Sequence, residues 1–268
     1  MRLLPAARTF SLAAALFLGV ASSLQAASYR LAIPPFLPQA EMKAQYGKLA
    51  EYLSKASGEE IELLLIPTYL GYWTEVRKGT GHELAFDAAP LIDFRVERQN
   101  YTVLAKVTGV ISQSLLTRGD SDILEPQELI GRPVATIASP NVAGLSLFEM
   151  FSNPMRQPNF KYAAHPREAA EMLVKGQVEA AFIPTPIAIQ YPDLNVVTTT
   201  RQLPHLALAA SPAVPAEVRE RLRKALLEAD KTPEGRELLE MLNTPGFEAA
   251  TNAMYKGYGA MLKGTYGY

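Results

Sequence analysis

The residues best placed to do chemistry lie between positions 133 and 150. Val134-Ala135-Thr136-Ile137-Ala138 reads as a short buried strand, and Ser139-Pro140-Asn141-Val142-Ala143-Gly144 reads as a small-residue turn into a helix through Leu145, Phe148 and Met150. A helix that begins this way leaves its first amides unpaired at the positive end of its dipole, which suits an anion or an acceptor-rich ligand. A plain strand-to-helix turn in any parallel sheet would have the same sequence signature. If backbone amides do the holding, Asn141→Ala should cost little. Gly144 should then be needed for close approach of ligand to backbone, and a branched side chain there should not be tolerated.

Other candidates are scattered. Tyr69, Tyr72 and Trp73 cluster where a strand gives way to a helix; in open α/β sheets ligands bind beyond the carboxyl ends of strands, so these rings are pocket walls or, for Trp73 above all, core. Asp87 either caps the helix after Pro90 or faces a cleft, together with Ala88. Catalysis has little support. Gly144-Leu145-Ser146-Leu147-Phe148 lacks the second glycine of a nucleophile elbow, no motif places an acid-base pair, and there is no H-E-x-x-H. With no cysteine, disulfides, thiolate metal sites and a cysteine lipid anchor are excluded. Neither an enzyme nor a cofactor or metal is expected.

The elements that must position these residues follow from the chain as a whole. Arg2 and Arg8, the apolar run from Phe10 to Val20 and the small residues ending at Ala26 have the pattern of a cleavable signal peptide over residues 1–26. The run is shorter than the roughly 20 apolar residues a membrane span needs. A soluble exported protein is the expectation. Without that segment the net charge is about −3, with no Lys/Arg cluster, which argues against nucleic acid and anionic membrane surfaces.

Strands and helices then alternate. Residues 28–33, 61–66, 83–86 and 101–106 read as strands, with helices through Met42–Leu53 (Gly58 as its C-cap) and from Leu91 to about Arg98. Residues 110–117 read as one further strand, on which the chain leaves a first lobe. Strands at 134–138, 160–162, 179–183 and 194–198 make a second, and residues 201–210 run back to the first. Near the end, Glu217 and Arg221 are spaced for an i,i+4 ion pair, and the Gly/Tyr tail 264–268 reads as a frayed terminus.

The order of these features resembles type II periplasmic solute-binding proteins of ABC importers, in the phosphate/phosphite/phosphonate-binding branch. The likeness is carried by Glu83-Leu84-Ala85-Phe86-Asp87-Ala88-Ala89-Pro90, by Asp120-Ser121 with Ile123, Leu129 and Gly131, by Gly176-Gln177-Val178-Glu179-Ala180 and by Thr232-Pro233-Glu234-Gly235-Arg236. It implies two Rossmann-like α/β lobes joined by two crossing strands, one lobe from residues 27–110 plus 203–268 and the other from 111–202. It also implies a small, oxyanionic ligand held between them, a membrane permease as partner and a monomer. On that template Tyr69, Tyr72, Asp87, Ala88, Ser139, Asn141, Val142, Ala143, His165 and Thr185 face the cleft. The pattern departs at the helix start, where Asn141, Val142 and Ala143 replace hydroxyl residues, and at Leu206, which replaces an acid. A sensor that presents its ligand-bound form to a membrane histidine kinase is the alternative function.

Overall fold

Residues 27–268 are described by a computed structural model; residues 1–26, where the export signal is expected, lie outside the described residues. The chain opens with β1 (Ser28–Ile33), α1 (Gln39–Ser57), β2 (Glu60–Leu65), α2 (Tyr69–Lys78), β3 (Leu84–Asp87), α3 (Ala89–Gln99) and β4 (Thr102–Val107). β1 pairs in parallel with β2 and β3, as strand-helix-strand units require. Then the expected single strand at 110–117 divides. β5 (Val110–Ile111) and β6 (Gln113–Arg118) are separated by Ser112, because β5 pairs with one partner and β6 joins a different sheet.

The second sheet collects β7 (Pro133–Ile137), α4 (Val142–Met150), β8 (Asn159–Ala163), α5 (Pro166–Val174), β9 (Ala180–Pro184), the one-turn α6 (Thr185–Ala188) and β10 (Leu194–Thr199). From there β11 (Leu203–Pro204) runs antiparallel to β5, and the return supplies β12 (Ala207–Ala210), α7 (Ala216–Leu227), α8 (Pro233–Met241), β13 (Phe247–Ala249) and α9 (Asn252–Tyr255). The six-stranded sheet has the order β13-β4-β12-β3-β1-β2 and the five-stranded sheet β10-β6-β9-β7-β8. In each, the strand laid down after a crossing enters antiparallel: β12 between β4 and β3, β6 between β10 and β9.

Helices cover both faces of both sheets. One face of the first sheet packs Leu31, Ile33 and Phe86 against Met42, Leu49 and Leu53 of α1 and Val218, Leu222 and Leu226 of α7. Its other face packs Ala32, Ala85 and Ala209 against Tyr72, Trp73 and Val76 of α2 and Leu91 and Ile92 of α3. In the second sheet, Leu116, Ile137 and Ile183 meet α5, while Leu115, Val134 and Phe182 meet α4. This is the doubly covered arrangement of a mixed α/β protein with two sheets.

Two local expectations fail for identifiable reasons. Arg221 does not pair with Glu217; it donates to the Ser57 carbonyl at 2.7 Å and reaches Glu59 at 3.3 Å, tying α7 to the end of α1. Nor is the tail frayed. The Trp73 indole donates to the Tyr266 carbonyl at 2.7 Å, and the Arg77 guanidinium lies over both rings, 5.7 Å from Trp73 and 5.8 Å from Tyr266.

Candidate functional site

Three parallel strands of the second sheet end side by side, because β7 lies between β8 and β9. Their carboxyl ends therefore carry, as neighbours, the Ser139–Asn141 turn, His165 and Thr185. In the first sheet β1, β2 and β3 likewise end together, at Pro34-Pro35-Phe36, at Thr68-Tyr69 and at Ala88.

The two sets meet at Tyr69. Thr68 caps α2 by accepting from the Gly71 amide at 3.0 Å, which places Tyr69 as the first residue of the helix. Its ring is buried, not among first-lobe side chains but with Leu116, Ile137, Ala163, Ala169 and Ile183 of the second. Its hydroxyl accepts from the Asn141 side-chain amide at 2.7 Å. Burial pushes the phenol well above its usual pKa, so Tyr69 is a neutral partner. Two further bridges span the lobes. Arg167 donates to Glu41 at 2.8 Å, and the Arg201 guanidinium lies 5.8 Å from the centre of the Tyr258 ring. Phe36 packs against clusters of both lobes.

Asn141 has a second task. Its side-chain oxygen accepts from the Ala143 amide at 2.8 Å, capping α4. One of the free amides expected to hold an anion is thus already used. The Val142 and Gly144 amides remain. Val142 is buried with Leu145 against Ala89, Leu203 and Leu262 of the first lobe, and Ser139 is half-buried. Gly144 is required on structural grounds as well. A Cβ on this residue would stand 2.4 Å from the Ile137 carbonyl and 2.8 Å from the Ser139 amide. The glycine is needed so that α4 can pack on the end of its own strand, whether or not a ligand approaches.

His165 caps α5, its Nδ1 accepting from the Glu168 amide at 3.2 Å while the Glu168 carboxylate accepts from Ala164 at 2.7 Å. This reciprocal cap leaves Nε2 as the ring atom still free of a cap role. Thr185 belongs to a hydroxyl group of three, which sequence reasoning missed: its Oγ1 lies 2.9 Å from Ser112 Oγ and 2.8 Å from Ser114 Oγ. Alternation along β6 was the available signal. It sends Ser112 and Ser114 to the face that carries Tyr69, since Leu116 shares that side.

Tyr72 and Asp87 are placed otherwise than expected. Both are wholly buried inside the first lobe. The Tyr72 hydroxyl donates to one Asp87 oxygen at 2.7 Å and Arg95 Nε donates to the other at 2.7 Å. Arg95 also donates to His82 Nε2 at 2.6 Å and lies over the Tyr101 ring. Burial raises the Asp87 carboxyl above its usual value against the pull of Arg95 and Tyr72. Asp87 does not cap α3, whose N-cap is Ala88, and it presents no free oxygen to a ligand. Ala88 is half-buried at the rim. The cavities described lie on the first lobe: one of about 30 Å³ between Ile33, Pro35, Met42 and Pro67, and an open groove of about 380 Å³ beside Arg30, Thr74 and Glu75.

A family model described as ABC transporter, phosphonate, periplasmic substrate-binding protein matches residues 31–255. No curated protein matches in sequence. Solved structures with the same fold include PhnD1 from Prochlorococcus marinus in complex with methylphosphonate, at TM-score 0.75 and 14% identity, covering 88% of this chain and 97% of that one. A binding protein component of an ABC phosphonate transporter from Pseudomonas aeruginosa aligns at TM-score 0.74 and 14% identity, covering 86% and 84%. A Xanthomonas citri protein bound to ATP aligns at 0.71 and 15%, covering 89% and 98%.

Proposed function

The chain belongs to the periplasmic substrate-binding proteins of phosphonate ABC transporters, and from that membership we propose that it captures a small oxyanion between its two lobes and presents the closed complex to a membrane permease. The observation that carries the reading is Tyr69, a first-lobe residue whose ring and hydroxyl are both engaged by the second lobe at the carboxyl ends of the strands. Such a residue links closure to what lies beneath it.

In this reading the anion sits on the second lobe. The Val142 and Gly144 amides, the hydroxyls of Ser112 and Thr185 and His165 Nε2 surround it, Phe36 and Tyr69 cover it, and Ser139, Asn141 and Ala143 shape the turn. Tyr72 and Asp87 support Tyr69 from within α2 and β3 rather than touching the ligand. The protein works as a monomer, with residues 1–26 removed on export, which N-terminal sequencing of envelope protein would check.

Melting of the exported form against phosphate, phosphite, methylphosphonate, sulfonates and carboxylates tests the reading. A true ligand at about 100 times its dissociation constant adds roughly 2.7 kcal/mol and a clear rise in Tm. Thr185→Val and Tyr69→Ala should each weaken that ligand's binding while His82 variants leave it unchanged. Equal affinity in wild type and Thr185→Val would move the ligand elsewhere, and silence from the whole panel would end the oxyanion reading.

A further inference from the structure

Tyr69, Trp73 and Arg77 stand at i, i+4 and i+8 on α2, so they form one stripe about 12 Å long. The leading end of that stripe, Tyr69, enters the second lobe. Its trailing end is held by residues 264–268. The Trp73 indole, 1% exposed, donates to the Tyr266 carbonyl at 2.7 Å, and the Arg77 guanidinium stacks on the rings of Trp73 and Tyr266. Tyr266 itself is 82% exposed. The segment thus gains little burial at this ring; what it supplies is an acceptor for Trp73 and a second plane for Arg77.

The same stretch of chain also grips α3. The Tyr268 ring lies 6.1 Å from Phe94 and the Arg98 guanidinium 5.9 Å over it, while Phe94 stands edge-on to Trp73 at 5.2 Å. Gly267, at φ 78°, lets the backbone pass close to α2, since a Cβ there would overlap the Arg77 guanidinium. Further back, the Gly259 amide donates to Asp93 at 2.7 Å, and Leu262 packs in the cluster that holds Val142 and Leu145 of α4. Residues 258–268 therefore take part in one contact between the lobes and hold the helix that makes another.

We propose that Trp73 and residues 264–268 are a positioning strap for Tyr69: they fix α2 against α3, and the helix carries that placement to the tyrosine that covers the ligand. The proposal rests on capture between the lobes and adds what keeps the cover in register. A helix of ten residues moves as a unit, so a shift at Arg77 or Trp73 displaces Tyr69 from Asn141. Holding the helix in its ligand-covering place beforehand lowers the cost of closing on the anion.

Trp73 is the chain's one tryptophan, so its emission reports the strap directly. Ending the chain at Lys263 should shift that emission to the red; an unshifted spectrum overturns the proposal. Calorimetric titration with phosphate, phosphite and methylphosphonate then asks whether the strap acts through Tyr69. For whichever anion binds, the shortened chain should bind it about five- to ten-fold more weakly. Trp73→Phe, which keeps an aromatic ring but loses the bond to Tyr266, should do the same, and it guards against a fold defect peculiar to the shortened chain. In a Tyr69→Ala background both changes should alter affinity by less than about two-fold, because no tyrosine is left to place. Equal weakening in the two backgrounds, or a lowered Tm with affinity intact, shows a strap that only stabilises the fold and overturns the proposal while capture stands. Failure of all three anions to bind wild type brings down the oxyanion reading and the proposal with it.

Discussion

The Asp87–Arg95 pair shows how a residue's type misleads when its neighbours are unknown. An aspartate before a helix reads as a cap or a ligand contact, yet both its oxygens are consumed by Arg95 and Tyr72, from α3 and α2. Nothing in the local spacing marks Arg95, which looks like an ordinary surface arginine on a helix; only the packing of α2 and α3 on one face of the sheet turns it inward. Removing one member of a fully buried pair strands the other, so Arg95→Met should destabilise by about 3–5 kcal/mol, seen as a large drop in the urea midpoint. Asp87→Asn, which keeps a hydrogen-bonding shape, should cost less. His82 adds a pH dependence. Burial and the adjacent Arg95 push its pKa down to about 4, from an ordinary 6.5. Acid protonates it in the unfolded chain first, so its contribution is intact above about pH 6.5 and is lost as pH falls towards 4, by at most about 3 kcal/mol. Melts at pH 7, 5.5 and 4.5 should show a steady fall that His82→Gln flattens; parallel curves for the two proteins would refute it.

At the scale of elements, long periodic segments were legible and short ones were not. β1 falls on Ser28–Ile33 as read, Gly58 caps α1 in the left-handed region at φ 74°, and most other strands are displaced by one residue. What could not be read are β13, α6 and α9, three or four residues each, whose existence depends on a partner: β13 forms because Phe247 and Glu248 meet Val107 and Lys106. The break at Ser112 is of the same kind: Val110 to Thr117 reads as one strand with polar interruptions at Ser112, Gln113 and Ser114, and it is the change of partner that divides it. The turn into α4 was read as a seat for a ligand, and its side chains turn out to have structural duties as well. Gly144→Ala should lower Tm by several degrees without any ligand present, because the new methyl meets backbone that cannot give way. Asn141→Ala removes both the cap and the bond to Tyr69 and should cost about 1–2 kcal/mol. Differential scanning calorimetry separates the two, and an unaltered Tm in Gly144→Ala would show that α4 is free to shift.

For the molecule as a whole, the lobes touch through Tyr69 and Phe36 against the second, Val142 and Leu145 against the first, and the Arg167–Glu41 ion pair, whose side chains are about 40% exposed and which contributes under about 1 kcal/mol. An interface that thin permits rotation, and scattering should report a smaller radius when ligand is added. The interleaving of the sheets has a consequence for how the chain is made. All five strands of the second sheet lie within residues 113–199, whereas the first sheet cannot be completed until β12 and β13 arrive. A fragment of residues 111–202 should therefore unfold cooperatively on its own, and a fragment of residues 27–202 should melt with the second lobe intact but bind hydrophobic dye. A non-cooperative melt of the shorter piece would show that the lobes form only together. As the chain emerges in order, β3 and β4 wait beside an empty lane in which each offers an unpaired backbone edge, open to a strand from another molecule. The segment most exposed to misassembly is thus not the ligand site but the gap that Ala207–Ala210 closes, and the interval before it closes is set by the time taken to deliver residues 108–206, which carry the whole second sheet.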